Sequence, residues 1–261
     1  MRNFAANLSM LFTEYDFLER FAAAHSHGFT HVEYLFPFDY APELLQQKLA
    51  ENQLSQELFN LYPGDWEGGE RGIAIFPEHI AAFNQSLEQG LTYALALDCK
   101  KVHILSGIMA PDVHREIYEE TLINNIRKAA DLFIDYGITI LLEPLNNRSV
   151  PGYFLSHQRQ AVNLIKKINR KNVKLQFDLF HAQIMDGDIS TLLTELKDYI
   201  GHIQVASIPS RNEPHLEEIN FAYFCLLIEQ IGYKGCIGLE YNPKSTTEAG
   251  LKQLKDYFNI I

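Results

Sequence analysis

The chain has 261 residues, of which 47% are hydrophobic, and it carries a formal charge of −11. This length and apolar content suit one large globular domain, and we predict a single domain over residues 1–261. No run of Lys or Arg is longer than two residues. Because a strongly acidic protein repels a phosphate backbone, no nucleic-acid partner is expected.

The three cysteines are Cys99, Cys225 and Cys236, and they form no CxxC pair. Their odd number fits a reducing compartment better than a disulfide framework, so we predict a cytoplasmic protein. The opening sequence MRNFAANLSMLFTEYDF is interrupted by polar and acidic residues, unlike a signal peptide. No apolar run approaches the ~20 residues of a membrane span, and no membrane association is expected.

Eight short apolar runs follow one another along the chain and are predicted to be β-strands. The central four are too apolar for a strand with one solvated face, which indicates strands buried on both faces of a parallel sheet. In chain order the runs are FAANLS (4–9), HVEYLF (31–36), SQELFNL (55–61), KVHILSG (101–107), ITILLEPL (138–145), VKLQFDLFH (173–181), HIQVAS (202–207) and CIGLEY (236–241).

An amphipathic stretch follows each run and is predicted to be a helix. Glycines end several of these stretches, as at Gly28, Gly137 and Gly232, and glycine is the usual residue after a helix. Eight alternating strands and helices in this length predict a (β/α)8 TIM barrel, with an open doubly wound sheet as the alternative. The predicted helices are 15–27, 41–52, 78–97, 113–136, 157–170, 188–200, 220–231 and 246–259.

The longest irregular stretch is YPGDWEGGERGIAIF, residues 62–76. A loop of this length in a compact domain is often functional. The alternative is a disordered surface excursion.

Polar residues stand near the ends of the last four predicted strands: Glu143, Asp178, Gln204 and Glu240. Catalytic groups of a TIM barrel lie at the carboxyl ends of its strands, so these four should meet at one mouth. Three buried carboxylates repel one another, and a divalent cation removes that conflict. Their oxygens are hard ligands, which predicts Mg²⁺ or Mn²⁺; solvated strand ends are the alternative.

Several further residues are candidates for contacting a substrate. Arg211, in the loop after the seventh strand, could pair a substrate carboxylate or oxyanion, and Lys244, after the eighth, could do the same. His181 reaches the mouth only if the chain turns after Asp178, because a continuing strand would point it away.

Three polar residues within the early strands could line the floor of the pocket, with structural hydrogen bonding as the alternative. They are Asn7, Glu33 and His103.

The segments FAANLSMLFTE, VEYLFP, LLEPLN, FDLFHAQ and IGLEYNP together resemble the hydroxypyruvate isomerase family. That family includes the 2-oxotetronate isomerases. It belongs to the xylose-isomerase-like TIM barrels, as do the ketose 3-epimerases and endonuclease IV. The resemblance extends over essentially the whole chain.

The resemblance implies a role for each matching position. Glu143 and Glu240 would hold a metal and exchange protons with the substrate, Asp178 would be a ligand, and His181 would contact the substrate. The related epimerases carry histidine where this chain has Gln204. That departure fits the hydroxypyruvate isomerase branch, although an amide oxygen is a weaker ligand than imidazole for transition metals.

The expected reaction interconverts hydroxypyruvate and tartronate semialdehyde, so the partner is a small hydroxy-oxo acid. A 2-oxotetronate isomerase is the nearest alternative. Gln204 argues against a ketose 3-epimerase, and the acidic charge argues against an abasic-site DNA endonuclease on the same barrel. The sequence leaves substrate length, resident metal and oligomeric state open, and it is compatible with a homo-oligomer.

Overall fold

The structure is a computed structural model that describes residues 4–112, 114–215 and 217–258. Eight parallel strands close into a barrel in sequence order, with β1 pairing both β2 and β8. The predicted (β/α)8 barrel is therefore confirmed, and the open sheet is excluded. The strands are β1 Phe4–Asn7, β2 His31–Tyr34, β3 Ser55–Asn60, β4 Lys101–His103, β5 Thr139–Leu142, β6 Val173–Asp178, β7 Ile200–Val205 and β8 Ile237–Leu239.

Helices surround the barrel and connect its strands. The α-helices within the described residues are α1 Arg20–Ser26, α2 Pro42–Glu51, α3 Ile80–Ala96, α4 Arg115–Phe133, α5 Gln158–Ile168, α6 Leu179–Met185, α7 Ile189–Leu196, α8 Phe221–Gln230 and α9 Thr247–Phe258. Position 113, where the fourth helix was predicted to begin, and position 259, where the last was predicted to end, lie outside the described residues.

The sixth strand is shorter than predicted. It was expected to continue to residue 181, but β6 ends at Asp178 and α6 begins at Leu179. The cause is a helix cap, because the Asp178 Oδ1 atom accepts a hydrogen bond from the Phe180 backbone N–H at 2.7 Å. Similarly, β7 begins at Ile200, a residue predicted to end a helix.

The loop after β3 packs against the barrel rim. Ile73, Ala74 and Ile75 are buried. Trp66 contacts Phe36 of the loop after β2, with 5.0 Å between ring centroids. The alternative of a disordered surface excursion is therefore wrong for residues 73–75, while the functional role of the loop stays a prediction.

Within the described part of the chain, no helix combines the length and the apolar character that crossing a membrane requires.

Candidate active site

The four predicted ligand residues lie at the carboxyl ends of four consecutive strands. Glu143 follows β5, Asp178 ends β6, Gln204 lies in β7 and Glu240 follows β8. Asp178 is paired in register with Gln204. All four are at least 94% buried, so the sequence correctly placed a polar cluster inside this end of the barrel.

Arg211 joins two of these carboxylates. Its Nη2 atom lies 2.5 Å from Glu240 Oε2 and 3.5 Å from Asp178 Oδ2. The guanidinium carbon stands 4.9 Å from the centre of the Phe180 ring, which supports the flat cation from one side. The loop after β7 thus brings a positive charge to the mouth, as the sequence suggested.

Glu143 has far fewer partners than Glu240. Its Oε2 atom is 3.6 Å from His103 Nδ1, and its Oε1 atom has no hydrogen-bond partner among the described residues. Burial raises the pKa of Glu143 well above its usual range, and the nearby Glu240 and Asp178 raise it further.

The other two carboxyl groups are shifted in the same direction. Burial raises the pKa of Glu240 to about 8, although Arg211 acts to lower it. Burial also raises the pKa of Asp178, again against the influence of Arg211. One arginine therefore does not offset the cost of placing three carboxyl groups in a buried site.

The residues fit a divalent cation. Potential ligand oxygens of Glu143 and Asp178 lie within 4.8 Å of each other. In the described part of the chain, Glu143 Oε1 and Asp178 Oδ2 are buried atoms that accept no hydrogen bond. Such orphaned oxygens next to a third carboxylate form a hard donor set of the kind that Mg²⁺ and Mn²⁺ prefer.

Gln204 turns its amide nitrogen, rather than its oxygen, toward the carboxylates. Its Nε2 atom donates to Glu33 Oε1 at 2.7 Å and Glu240 Oε1 at 3.2 Å. Its Oε1 atom accepts from Gln176 Nε2 at 2.5 Å. A ligand role for Gln204 therefore requires its oxygen to leave Gln176, and that role stays a prediction.

His181 reaches the mouth because the chain turns at Asp178. The backbone N–H of Asn146 lies 2.9 Å from His181 Nδ1. Since a backbone N–H can only donate, Nδ1 is the acceptor and Nε2 carries the proton. Burial lowers the pKa of His181 well below its usual range, so the ring is neutral, with Nε2 3.6 Å from Asp178 Oδ2.

Two further residues that were predicted to line the pocket, Asn7 and His103, lie at the carboxylate cluster. Asn7 is brought to the cluster, where its Nδ2 atom donates to Glu240 Oε1 at 3.1 Å. His103 lies beside Glu143, and burial lowers its pKa to about 3, which keeps it neutral. Both residues are buried, as pocket-lining residues must be.

Lys244 is not brought to the carboxylates. Its side chain is exposed, and its backbone N–H donates to Glu213 Oε1 at 3.1 Å. Lys244 lines a different cavity of about 540 Å³ together with Glu213 and Glu217. The sequence order correctly put Lys244 after β8, but it did not reveal that the chain turns away from the mouth there.

Three polar residues of the site were not predicted. Gln176 and His202 each stand two positions before a predicted ligand, and in a strand that spacing puts both side chains on one face. This alternation was the signal that could have identified them. Asn146 holds His181 through a contact between residues 35 positions apart, and no local pattern indicates it.

Comparisons with known proteins place this geometry in a family. The model of the xylose isomerase-like TIM barrel family matches residues 21–257. A 2-oxo-tetronate isomerase of Pectobacterium atrosepticum is 46% identical over 96% of both chains. The hydroxypyruvate isomerase of Escherichia coli is 43% identical over 98% of this chain and all of its own length.

Solved structures agree on the architecture. A crystal structure titled AP endonuclease, family 2, from Brucella melitensis superposes with a TM-score of 0.96 and 47% identity, covering 99% of this chain and 100% of that one. A D-psicose 3-epimerase from Clostridium cellulolyticum has a TM-score of 0.75 at 18% identity, with 99% and 92% coverage, which shows the fold alone. The chain is an enzyme of the xylose isomerase-like TIM barrel family, and its full-length relatives include hydroxypyruvate isomerases and 2-oxo-tetronate isomerases.

Proposed function

We propose that this enzyme interconverts hydroxypyruvate and tartronate semialdehyde through an enediolate. The observation that supports the proposal most directly is the pair Glu143 and Glu240. Both are buried at the same barrel mouth, where burial, together with the nearby Glu240, raises the pKa of Glu143. Two carboxyl groups with raised pKa values are suited to exchanging protons near neutral pH.

The reaction moves one hydrogen between neighbouring carbons. A glutamate removes a proton from the hydroxymethyl carbon of hydroxypyruvate, and the electron pair of that C–H bond forms the double bond of the enediolate. A glutamate then returns a proton to the former carbonyl carbon, while the hydroxyl proton passes from one oxygen to the other. The product has the same atoms as the substrate, and no external oxidant or reductant is needed.

A divalent cation, Mg²⁺ or Mn²⁺, would be held by Glu143, Asp178 and Glu240, with Gln204 as a further ligand if its amide turns. When bound, it would supply positive charge that stabilises the negative charge developing on the enediolate oxygens. This proposal is supported by the orphaned buried oxygens of Glu143 and Asp178.

His181 and Arg211 each offer a hydrogen-bond donor to the substrate. The His181 Nε2–H group faces the carboxylate side of the pocket. The Arg211 Nε atom is buried and has no hydrogen-bond partner among the described residues. We assign His181 to a substrate oxygen and Arg211 to the substrate carboxylate, because a guanidinium is well matched to a planar anion.

The four-carbon acid 2-oxotetronate is the principal alternative substrate, since relatives of 46% and 43% identity carry the two different names. The proposal is tested by measuring initial isomerisation rates for hydroxypyruvate and 2-oxotetronate side by side. Each rate is measured before chelation, after chelation, and after Mg²⁺ or Mn²⁺ is restored. We expect hydroxypyruvate to have the higher kcat/KM and chelation to abolish turnover reversibly.

A higher kcat/KM for 2-oxotetronate would change the proposed substrate but leave the proposed isomerisation through an enediolate unchanged. Full activity after exhaustive chelation would exclude the proposed metal. Turnover of neither acid would overturn the proposed function.

An abasic-site endonuclease is the second candidate, because the related Brucella melitensis structure carries that title. The charge of −11 argues against it, since an acidic surface repels DNA. Incubation with a duplex containing one abasic site distinguishes the two, and we expect no strand cleavage above that of a Glu240→Gln variant.

A further inference from the structure

The carboxylate of Glu33 lies inside the barrel beneath the cluster and is 1% exposed. Asn7 Nδ2 and Gln204 Nε2 donate to its Oε1 atom at 3.2 and 2.7 Å. His202 Nε2 lies 2.7 Å from its Oε2 atom. Two amide donors and one histidine nitrogen from β1 and β7 therefore converge on one carboxylate of β2.

Gly238 of β8 provides the space that this carboxylate occupies. A Cβ atom at position 238 would overlap both oxygens of Glu33. Gly238 is not among the glycines with positive φ, so its backbone could be adopted by other residues and the requirement is for room. Gly238 stands two positions before Glu240, on the same face of the chain.

Two amide groups connect Glu33 to Glu240. Asn7 Nδ2 and Gln204 Nε2, which both donate to Glu33, also donate to Glu240 Oε1 at 3.1 and 3.2 Å. An amide nitrogen carries two hydrogens, so each group can give one hydrogen to each carboxylate.

Both amides are also held in this orientation at their other ends. The Asn7 Oδ1 atom accepts from the Ser9 backbone N–H at 3.1 Å, and that N–H can only donate. The Gln204 Oε1 atom accepts from Gln176 Nε2 at 2.5 Å. Both nitrogens therefore face the two glutamates.

We propose that Glu33 is a positioning residue for Glu240, acting through the amides of Asn7 and Gln204. Its carboxylate accepts one hydrogen of each amide and thereby directs the other hydrogen to Glu240 Oε1. Glu240 is then held in one orientation, with Oε2 toward Arg211. The role of Glu240 in proton transfer rests on the proposed function, but the orientation itself does not.

Replacing Glu33 with methionine tests this hydrogen-bond relay from Glu33 to Glu240. Glu33→Met keeps the length of the side chain but ends in a thioether, which is only a weak acceptor, so the shared acceptor is lost. We expect kcat to fall about 10-fold to 100-fold, the scale expected for a catalytic group displaced by about 1 Å. KM should change less than about threefold, because Glu33 does not touch the substrate.

Glu57→Met is the matched control. Glu57 lies on the adjacent strand β3, and it pairs with His31 at 2.9 Å and with Lys101 at 3.0 Å. This variant also removes a paired glutamate from the barrel, and we expect its kcat to stay within about twofold of the parent. A merely structural Glu33 would make the two variants lose stability while both kept the parental kcat.

The relay further predicts non-additive effects. Combining Glu33→Met with Asn7→Ala should reduce kcat by less than the product of the two single effects, because both break the same path to Glu240. Effects that multiply fully would contradict the relay.

Gly238→Ala gives a second route if Glu33→Met fails to fold. The added Cβ displaces the Glu33 carboxylate while every donor stays in place, and we expect the same loss of kcat. Crystal structures of the folded variants supply a readout independent of turnover. We expect these crystal structures to show two changes relative to the parent. The amide of Asn7 or Gln204 is reoriented, and so is the carboxylate of Glu240.

An unmoved Glu240 carboxylate overturns the inference, whether or not the parent turns over either acid. A parental kcat in the folded variants also overturns it and leaves the proposed function intact. A parent inactive on both acids, with Glu240 reoriented in the variants, contradicts only the proposed function.

Discussion

The Arg211 Nη2 atom lies 2.5 Å from Glu240 Oε2. The positive charge of the guanidinium therefore offsets the negative charge of an ionised Glu240. The same Nη2 atom is 3.5 Å from Asp178 Oδ2. Without a bound cation, Arg211 is therefore the main positive charge facing the described carboxylates. The residue proposed to bind the substrate carboxylate is therefore also the one that pairs with the acidic side chains of the site.

Arg211→Ala should raise KM for hydroxypyruvate about 10-fold to 100-fold, because a charge-assisted hydrogen bond to the substrate carboxylate is lost. Steady-state kinetics with saturating Mg²⁺ measures the effect. Lys244→Ala is the control, since Lys244 is exposed and lies in a different cavity. A KM increase confined to Lys244→Ala would reverse the assignment of the two cations.

His181→Phe removes a donor but keeps a ring of similar size next to Phe180, whose ring centroid lies 5.2 Å away. We expect kcat/KM to fall about 10-fold or more, because the Nε2–H group no longer reaches a substrate oxygen. His25→Phe, at an exposed position of α1, controls for the substitution itself. Equal activity of the two variants would remove His181 from substrate binding.

The metal-free protein should lose stability as the pH rises. Burial raises the pKa of Glu240 from 4.5 to about 8, so the folded state binds this proton more tightly than the unfolded state does. This tighter binding contributes on the order of a few kcal/mol to the free energy of unfolding. The contribution is fully present below pH 4.5 and is lost as the pH rises to about 8.

Urea unfolding with a chelator across this pH range measures the slope. Glu240→Gln cannot titrate at this position and should show a shallower pH dependence. Saturating Mg²⁺ should also reduce the slope in the parent, because the cation favours the ionised carboxylates. The same slope in the parent and in Glu240→Gln would contradict the assignment.

The barrel and the carboxylate cluster were predictable from local patterns. Glu143 and Glu240 each follow an apolar run, and the topology of a parallel barrel brings such strand ends together. The turn after Asp178 was not predictable in the same way. The apolar residues Leu179 and Phe180 continue the strand pattern, whereas the cap that ends the strand depends on where the Asp178 side chain points.

The orientation of Gln204 was also beyond the reach of sequence patterns. Its amide is set by Gln176 and Glu33, which lie 28 and 171 positions away along the chain. Lys244 shows the same limit, because proximity to a strand end in sequence does not determine the direction in which a loop leaves it.

The central claim is that Glu143 and Glu240 transfer protons during isomerisation. The most direct measurement is kcat of Glu143→Gln and Glu240→Gln on hydroxypyruvate with saturating Mg²⁺ or Mn²⁺, so that weakened metal binding is not mistaken for lost proton transfer. Glutamine keeps the size and an oxygen but cannot accept the proton. We predict that each variant folds and loses ~10²–10⁴-fold in kcat. A folded variant that retains more than about a tenth of the parental kcat would contradict the acid–base role of that glutamate.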